Sequence, residues 1–291
     1  MVRPLHPLVS GAFPGAPRVD VPTEALSSVP YRHHLDEEAI QPVLDDLRGY
    51  FSQADILGYA GVTVGLSGGL DSAVCIDLCR RALGAERVAA VTVLMGPDEE
   101  RQRLSSLGYC AKRLGVRHIG VDGESVRQAL IAAWPGTGPW TPINLETRTI
   151  QALIFQVADS LGFGVCATTD RSELLLGRQT ESFYGHVSPL LGFYKTDVRF
   201  LAGILGIEDA VQDHRPGCTA HWYDDEVLGA DYEVIDPILH LLTVDQLSLR
   251  DISRQFGIAD EEWLRKIEER VRFQPLRLGI HPILPLGAER S

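Results

Sequence analysis

Val62-Thr-Val-Gly65-Leu-Ser67-Gly68-Gly69-Leu-Asp71-Ser72-Ala73 is the stretch that decides the fold of this chain. Its β-branched opening reads as a strand, and the small residues that follow lead into an apolar helical repeat. Gly65, Gly68 and Gly69 let the backbone turn tightly and come close to a ligand. The start of the helix offers N–H groups without intrahelical acceptors. Ser67 and Ser72 add hydroxyl donors. Asp71 repels phosphate on its own but suits a divalent cation bridging to it. A bare Gly-Gly pair fits any tight strand-to-helix turn. The full Ser-Gly-Gly-x-Asp-Ser string after a strand points instead to a phosphate site. No Gly-Lys-Ser/Thr follows, which excludes a Walker loop, and the glycine spacing is wrong for a dinucleotide fingerprint.

On either side of this loop, strands and helices alternate. Leu35–Tyr59 reads as a helix from its apolar spacing, and Val62–Leu66 as a strand. A helix then runs through Leu83 to Gly84. Strands follow at Arg87–Met95, Arg117–Val121 and Gly164–Thr168, with helices at Arg101–Leu114, Glu124–Trp134 and Asn144–Leu161. This pattern predicts an α/β fold, a parallel sheet with helices on both faces. Helical additions close the chain at Lys195–Leu205, Asp231–Leu242, Val244–Phe256 and Asp260–Phe273. Residues 1–34 form a proline-rich arm, expected to be extended and draped over the surface. Residues 35–275 form the main domain and 276–291 a tail.

Composition narrows the function. The 291 residues carry 27 basic and 39 acidic side chains, a net charge of −12, with a pI near 5.2. Such a balance argues against nucleic-acid binding through bulk charge, but leaves room for small anions at a local positive site. The longest apolar stretch, Val88–Met95, is far short of the ~20 residues that cross a bilayer, so no membrane partner is expected. No secretory leader opens the chain, and the five cysteines show no framework spacing; a reduced, cytoplasmic setting is expected. Cys75 and Cys79, four apart on a helix, read as core thiols. The chain keeps only three lysines beside twenty-four arginines, so Lys195 marks a place for a compact point charge.

The glycine loop resembles the pyrophosphate loop of the ATP pyrophosphatases, and four later segments resemble the NAD synthetase family within them, of the ammonia-dependent type. Ala167-Thr168-Thr169-Asp170-Arg171-Ser172-Glu173, continuing to Gly177, is similar to its Gly-Thr-x-x-x-x-Glu stretch. Asn144-Leu-Glu-Thr-Arg148 is similar to its Asn-Ile-Gln-Ala-Arg. Ser188-Pro189-Leu190, with Phe193-Tyr194-Lys195-Thr196-Asp197-Val198-Arg199, is similar to its Asn-Pro-Leu and Tyr-Lys-Thr-x-Val-Arg. Cys218-Thr219-Ala220 and Asp224–Asp236 are similar to its Pro-Thr-Ala loop and following helix. The resemblance implies a Rossmann-like, adenine nucleotide alpha hydrolase-like domain that binds ATP through Gly65, Ser67, Gly68, Gly69, Asp71, Ser72, Thr168, Lys195 and Thr219. It implies Mg²⁺ on Asp71 and Glu173, with Lys195 completing the catalytic set. Asn144 and Arg148 fall at substrate positions.

The likeness breaks on one side of the reaction. Glu181 follows Thr180 where the family has lysine, and the loop to Val187 is shorter. His186 replaces a substrate-site acid, and Arg270-Val271 stands for a His-Lys pair. A unit charge at contact is worth about 4 kcal/mol at an effective dielectric near 20, so a glutamate for a lysine beside an anionic dinucleotide matters. The expected reaction is adenylylation of a carboxylate and displacement of AMP by ammonia, with deamido-NAD the best single substrate. The alternatives are a different carboxylic acid on the same scaffold, or a non-catalytic nucleotide binder. No nitrilase-sized segment precedes the loop, so ammonia is expected free or from a separate supplying partner. The family resemblance also implies a homodimer, with the Leu35–Tyr59 helix available to it.

Overall fold

Gly61–Gly65 forms strand β1, and its three central residues Val62, Thr63 and Val64 are fully buried. Burial on both faces is what a central parallel strand demands. A computed structural model describes residues 18–31, 35, 38–53, 58–97, 108–136, 138, 141–178, 185–207, 217–218 and 222–277. In it β1 pairs in parallel with β2 (Val88–Leu94) on one side and with β4 (Phe163–Cys166) on the other. β3 (Arg117–Asp122) pairs with the outer edge of β2, so the order is β3-β2-β1-β4. The predicted parallel α/β architecture is therefore present.

The helices follow the same logic. α1 (Thr23–Leu26) and α2 (Gln41–Phe51) precede β1, and α3 (Leu70–Leu83) follows it. α4 (Gly108–Arg113) joins β2 to β3, while α5 (Glu124–Ala133) and α6 (Thr141–Leu161) carry the chain back across to β4. α3 is buried at ten of its fourteen residues, packing between the sheet and α2. Its buried Asp77 is balanced by Arg80 and Arg81 at 2.6 and 2.7 Å. The chain steps outward from β1 to β2 and β3, then returns to place β4 beside β1. That reversal opens a crevice at the carboxyl ends of β1 and β4, where open parallel sheets bind ligands. The glycine loop lies there.

After β4 come α7 (Arg171–Leu176), α8 (Lys195–Leu205), the short pair β5 (Gly217–Cys218) and β6 (Trp222–Tyr223), then α9 (Asp224–Leu228), α10 (Tyr232–Thr243), α11 (Leu249–Phe256) and α12 (Glu261–Arg277). These helices enclose a second apolar core, which includes Leu176, Ile235, Leu239, Ile252 and Leu264.

Several elements differ from the sequence expectation. The described part of the N-terminal arm is anchored rather than draped: Val21, Leu26, Val29 and Tyr31 are buried in the second core, and the Val19 N–H donates to the Gly229 carbonyl at 3.0 Å. Its apolar residues between prolines have a cleft to fill, and burying each is worth about 1.5–3 kcal/mol. Of the helix expected over 35–59, Gln41–Phe51 is helical, opening where Pro42 needs no backbone donor, and residues 36–37 and 54–57 lie outside the described residues. The Val244–Phe256 helix starts only at Leu249. Gln246 adopts φ +53°, and Ser248 then caps the new helix by accepting the Asp251 N–H. Of the helix expected over 101–114, residues 101–107 lie outside the described residues. Among the described residues, no helix is long and apolar enough to cross a membrane.

Candidate active site

Backbone geometry prepares the glycine loop for a ligand. Gly68 sits at φ +87°, a left-handed conformation that favours glycine, and Gly69 is the N-cap of α3. No side chain caps that N-terminus, so the first-turn N–H groups and their partial positive charge face the crevice. Ser72 Oγ donates to the Gly69 carbonyl at 2.8 Å, and Ser67 Oγ accepts the Gly69 N–H at 3.2 Å. The two hydroxyl oxygens stand 3.4 Å apart.

Beside the loop, two helix N-termini converge. Asp170 caps α7: its Oδ1 accepts the Glu173 N–H at 2.8 Å, and Glu173 Oε2 accepts the Asp170 N–H in return, a capping box. Lys195 opens α8, where Asp197 Oδ2 accepts the Tyr194 N–H at 2.9 Å. Buried Asp236, on α10, ties the two starts together. Its Oδ1 accepts the Ser172 hydroxyl at 2.6 Å and its Oδ2 accepts the Thr196 N–H at 2.9 Å. Ser172 Oγ in turn accepts the Lys195 N–H at 2.9 Å. Burial pushes the Asp236 carboxyl up to about 7, against the pull of the Ser172 and Thr196 bonds.

This scaffold aims Lys195 at a cluster of acids. Its Nζ lies 2.8 Å from Asp71 Oδ2, 2.7 Å from Asp170 Oδ2 and 3.1 Å from Glu173 Oε1, with the lysine only 2% exposed. Burial works to lower the lysine's affinity for its proton, but Asp170, Asp71 and Glu173 outweigh it and hold the ammonium well above its usual range. Burial raises Asp170 to about 7 and Glu173 to about 8, opposed by Lys195 and reinforced by the neighbouring carboxylates. Tyr232 brings its ring centroid within 5.7 Å of Nζ, and its hydroxyl donates to Asp224 Oδ2 at 2.7 Å. Asp224 Oδ1 accepts Arg178 Nε and Nη2 at 3.1 and 2.5 Å.

Ligand atoms of Asp71, Asp170 and Glu173 all lie within 4.8 Å of one another. Asp71 Oδ1 is buried and accepts no hydrogen bond. Three hard oxygen donors and an orphaned carboxylate atom fit a Mg²⁺-type cation.

The structure thus brings together Asp71, Glu173 and Lys195 beside Gly65, Ser67, Gly68, Gly69 and Ser72. Thr168, half-buried just beyond β4, stands at the same strand ends. Thr219 and Glu181 lie outside the described residues. Asn144 and Arg148 are on α6, where Arg148 is exposed. Both ring nitrogens of His186 are engaged within the fold: its Nδ1 accepts the Val165 N–H at 2.8 Å and its Nε2 meets the Tyr59 hydroxyl at 2.8 Å. Its ring packs against Tyr59 and Phe155 along the outer edge of β4, and burial lowers its proton affinity. Asp170, Asp224 and Arg178 are the residues that sequence reasoning did not single out. The Asp-x-x-Glu spacing of a capping box was the available signal for the first.

A family model for NAD synthase matches residues 40–276, most of the chain. The chain belongs to the NAD synthase family. A member from Hyperthermus butylicus, described as an NH₃-dependent NAD⁺ synthetase, is 34% identical over 243 residues, 80% of this chain and 86% of that protein. An NH₃-dependent NAD synthetase from Campylobacter jejuni has the same fold, with a TM-score of 0.67 at 21% identity over 86% of this chain and 99% of that one. An NMN synthetase from Francisella tularensis shares the fold at a TM-score of 0.66 and 19% identity, over 83% of this chain and 97% of that one. As a NAD synthase family member, the chain is a ligase that forms C–N bonds with release of AMP.

Proposed function

We propose that the chain is an ammonia-dependent amide ligase that converts deamido-NAD, ATP and ammonia to NAD, AMP and pyrophosphate. The observation that carries this reading is Lys195 held by three carboxylates at the mouth of the glycine loop. The uncapped N–H groups of α3, with the Ser67 and Ser72 hydroxyls, bind the phosphates that depart. The Lys195 ammonium, kept protonated by its acidic neighbours, stabilises the charge that builds on the leaving pyrophosphate. Asp71 and Glu173 hold Mg²⁺, which supplies charge neutralisation at the phosphates when bound. Thr168 and Thr219 add hydroxyl contacts to ATP, and Asn144 and Arg148 orient the acid. The substrate carboxylate attacks the α-phosphorus, pyrophosphate leaves, and ammonia displaces AMP from the acyl-adenylate.

A second reading keeps the chemistry and changes the acid. Both ring nitrogens of His186 are engaged within the fold, leaving that side chain no free group for a dinucleotide. Purified protein with Mg-ATP, ammonium and deamido-NAD, followed by mass spectrometry, separates the two. Prompt NAD and AMP support the first reading. ATP–pyrophosphate exchange with other acids but not with deamido-NAD supports the second. Absence of AMP with every acid overturns both. Sedimentation tests the homodimer, for which α5 presents exposed Leu130 and the adjoining Trp134.

A further inference from the structure

Asp170 does more than its place at a helix start requires. An asparagine caps a helix as well as an aspartate does, so α7 has no need of the charge. Yet the residue is completely buried, and its Oδ2 lies 2.7 Å from Lys195 Nζ. Across the cluster, Asp71 Oδ1 is buried and accepts no hydrogen bond. Three carboxylates against one ammonium sum to 1 − 3 = −2 when all are ionised. An excess of negative charge around a buried ammonium is costly without a further counter-ion.

We propose that Asp170 is a third carboxylate ligand, with Asp71 and Glu173, of a divalent-cation site that fills before nucleotide arrives, and that Lys195 is the resident cation it displaces. The ammonium already stands within 2.7–3.1 Å of all three acids, at the point where their charges converge. A doubly charged ion in the ammonium's place reduces the excess from −2 to −1, and the displaced lysine becomes free to meet a phosphate. This rests on the reading of the cluster as a phosphate centre, but it is tested without catalysis.

The probe is Mn²⁺ with the full-length chain and no nucleotide, counting free ion by electron paramagnetic resonance. The unsubstituted chain is expected to bind one Mn²⁺. Asp170→Asn, which keeps the cap, is expected to weaken binding about tenfold or more. Lys195→Met, which removes the resident cation, is expected to bind Mn²⁺ more tightly and to gain more thermal stability from it than the unsubstituted chain. Equal affinity in Asp170→Asn removes Asp170 from the site. Unchanged or weaker affinity in Lys195→Met removes the displacement, and no binding by the unsubstituted chain without nucleotide overturns the proposal. AMP release, assayed separately, reports on the ligase reading alone.

Discussion

Replacing Arg178 by methionine tests how the site is braced. The guanidinium is 10% exposed and its partner Asp224 6%, so the pair is largely shielded from solvent and salt. Two guanidinium nitrogens meet Asp224 Oδ1, while Oδ2 keeps the Tyr232 hydroxyl. Arg178→Met leaves a buried carboxylate with one donor. Breaking a buried pair from one side costs about 3–5 kcal/mol, and the surviving Tyr232 bond places this case near the lower end. A loss of about 3 kcal/mol corresponds to roughly 6–12 °C in Tm for a domain of this size. Urea unfolding at neutral pH, repeated in high salt, measures it. Arg178→Lys should recover part of the loss, and Arg178→Met with Asp224→Asn should lose clearly less than the two single changes added. A loss below about 1 kcal/mol, or one that vanishes in salt, would mean the pair behaves as a surface ion pair and the bracing argument is wrong. Because Tyr232 also faces Lys195, ligase activity should fall together with stability.

Three further outcomes are expected. Asp236 is raised to about 7 by burial, well above its unfolded value. Its stabilising contribution is therefore complete at low pH and lost as pH rises through 7. The stability gap between the unsubstituted chain and Asp236→Asn should narrow from pH 5.5 to 8.5 in urea unfolding, and a constant gap contradicts this. Gly185→Ala puts a methyl group 2.6 Å from the Ala167 nitrogen and 2.7 Å from the Val165 carbonyl oxygen, both backbone atoms. It should cost about 1–3 kcal/mol, read as a lower Tm. His186→Leu orphans the Val165 N–H at the sheet edge and should cost about 1–3 kcal/mol, while His186→Asn, which restores an acceptor, should cost less.

The amino-acid sequence by itself determined the parallel α/β order and the glycine loop, and its resemblance to the NAD synthetase family pointed to Asp71, Glu173 and Lys195, which the structure brings into one cluster. The first two are written in local patterns: alternation of apolar periods and glycines at a strand end. The tertiary structure decided what those patterns meet. It drew Asp170 into the cluster, because Lys195 arrives from another helix and a buried ammonium gathers every carboxylate in reach. His186 went to the edge of β4, because an unpaired Val165 N–H there needs an acceptor. The prolines of the N-terminal arm concealed Val21, Leu26 and Tyr31 as core residues, for their partners lie on α10 and the helices beyond it. Periodicity marks which face of an element is apolar, and spacing marks which residues are chemical. The partner that satisfies a buried charge or donor is set by the long-range packing that buries it.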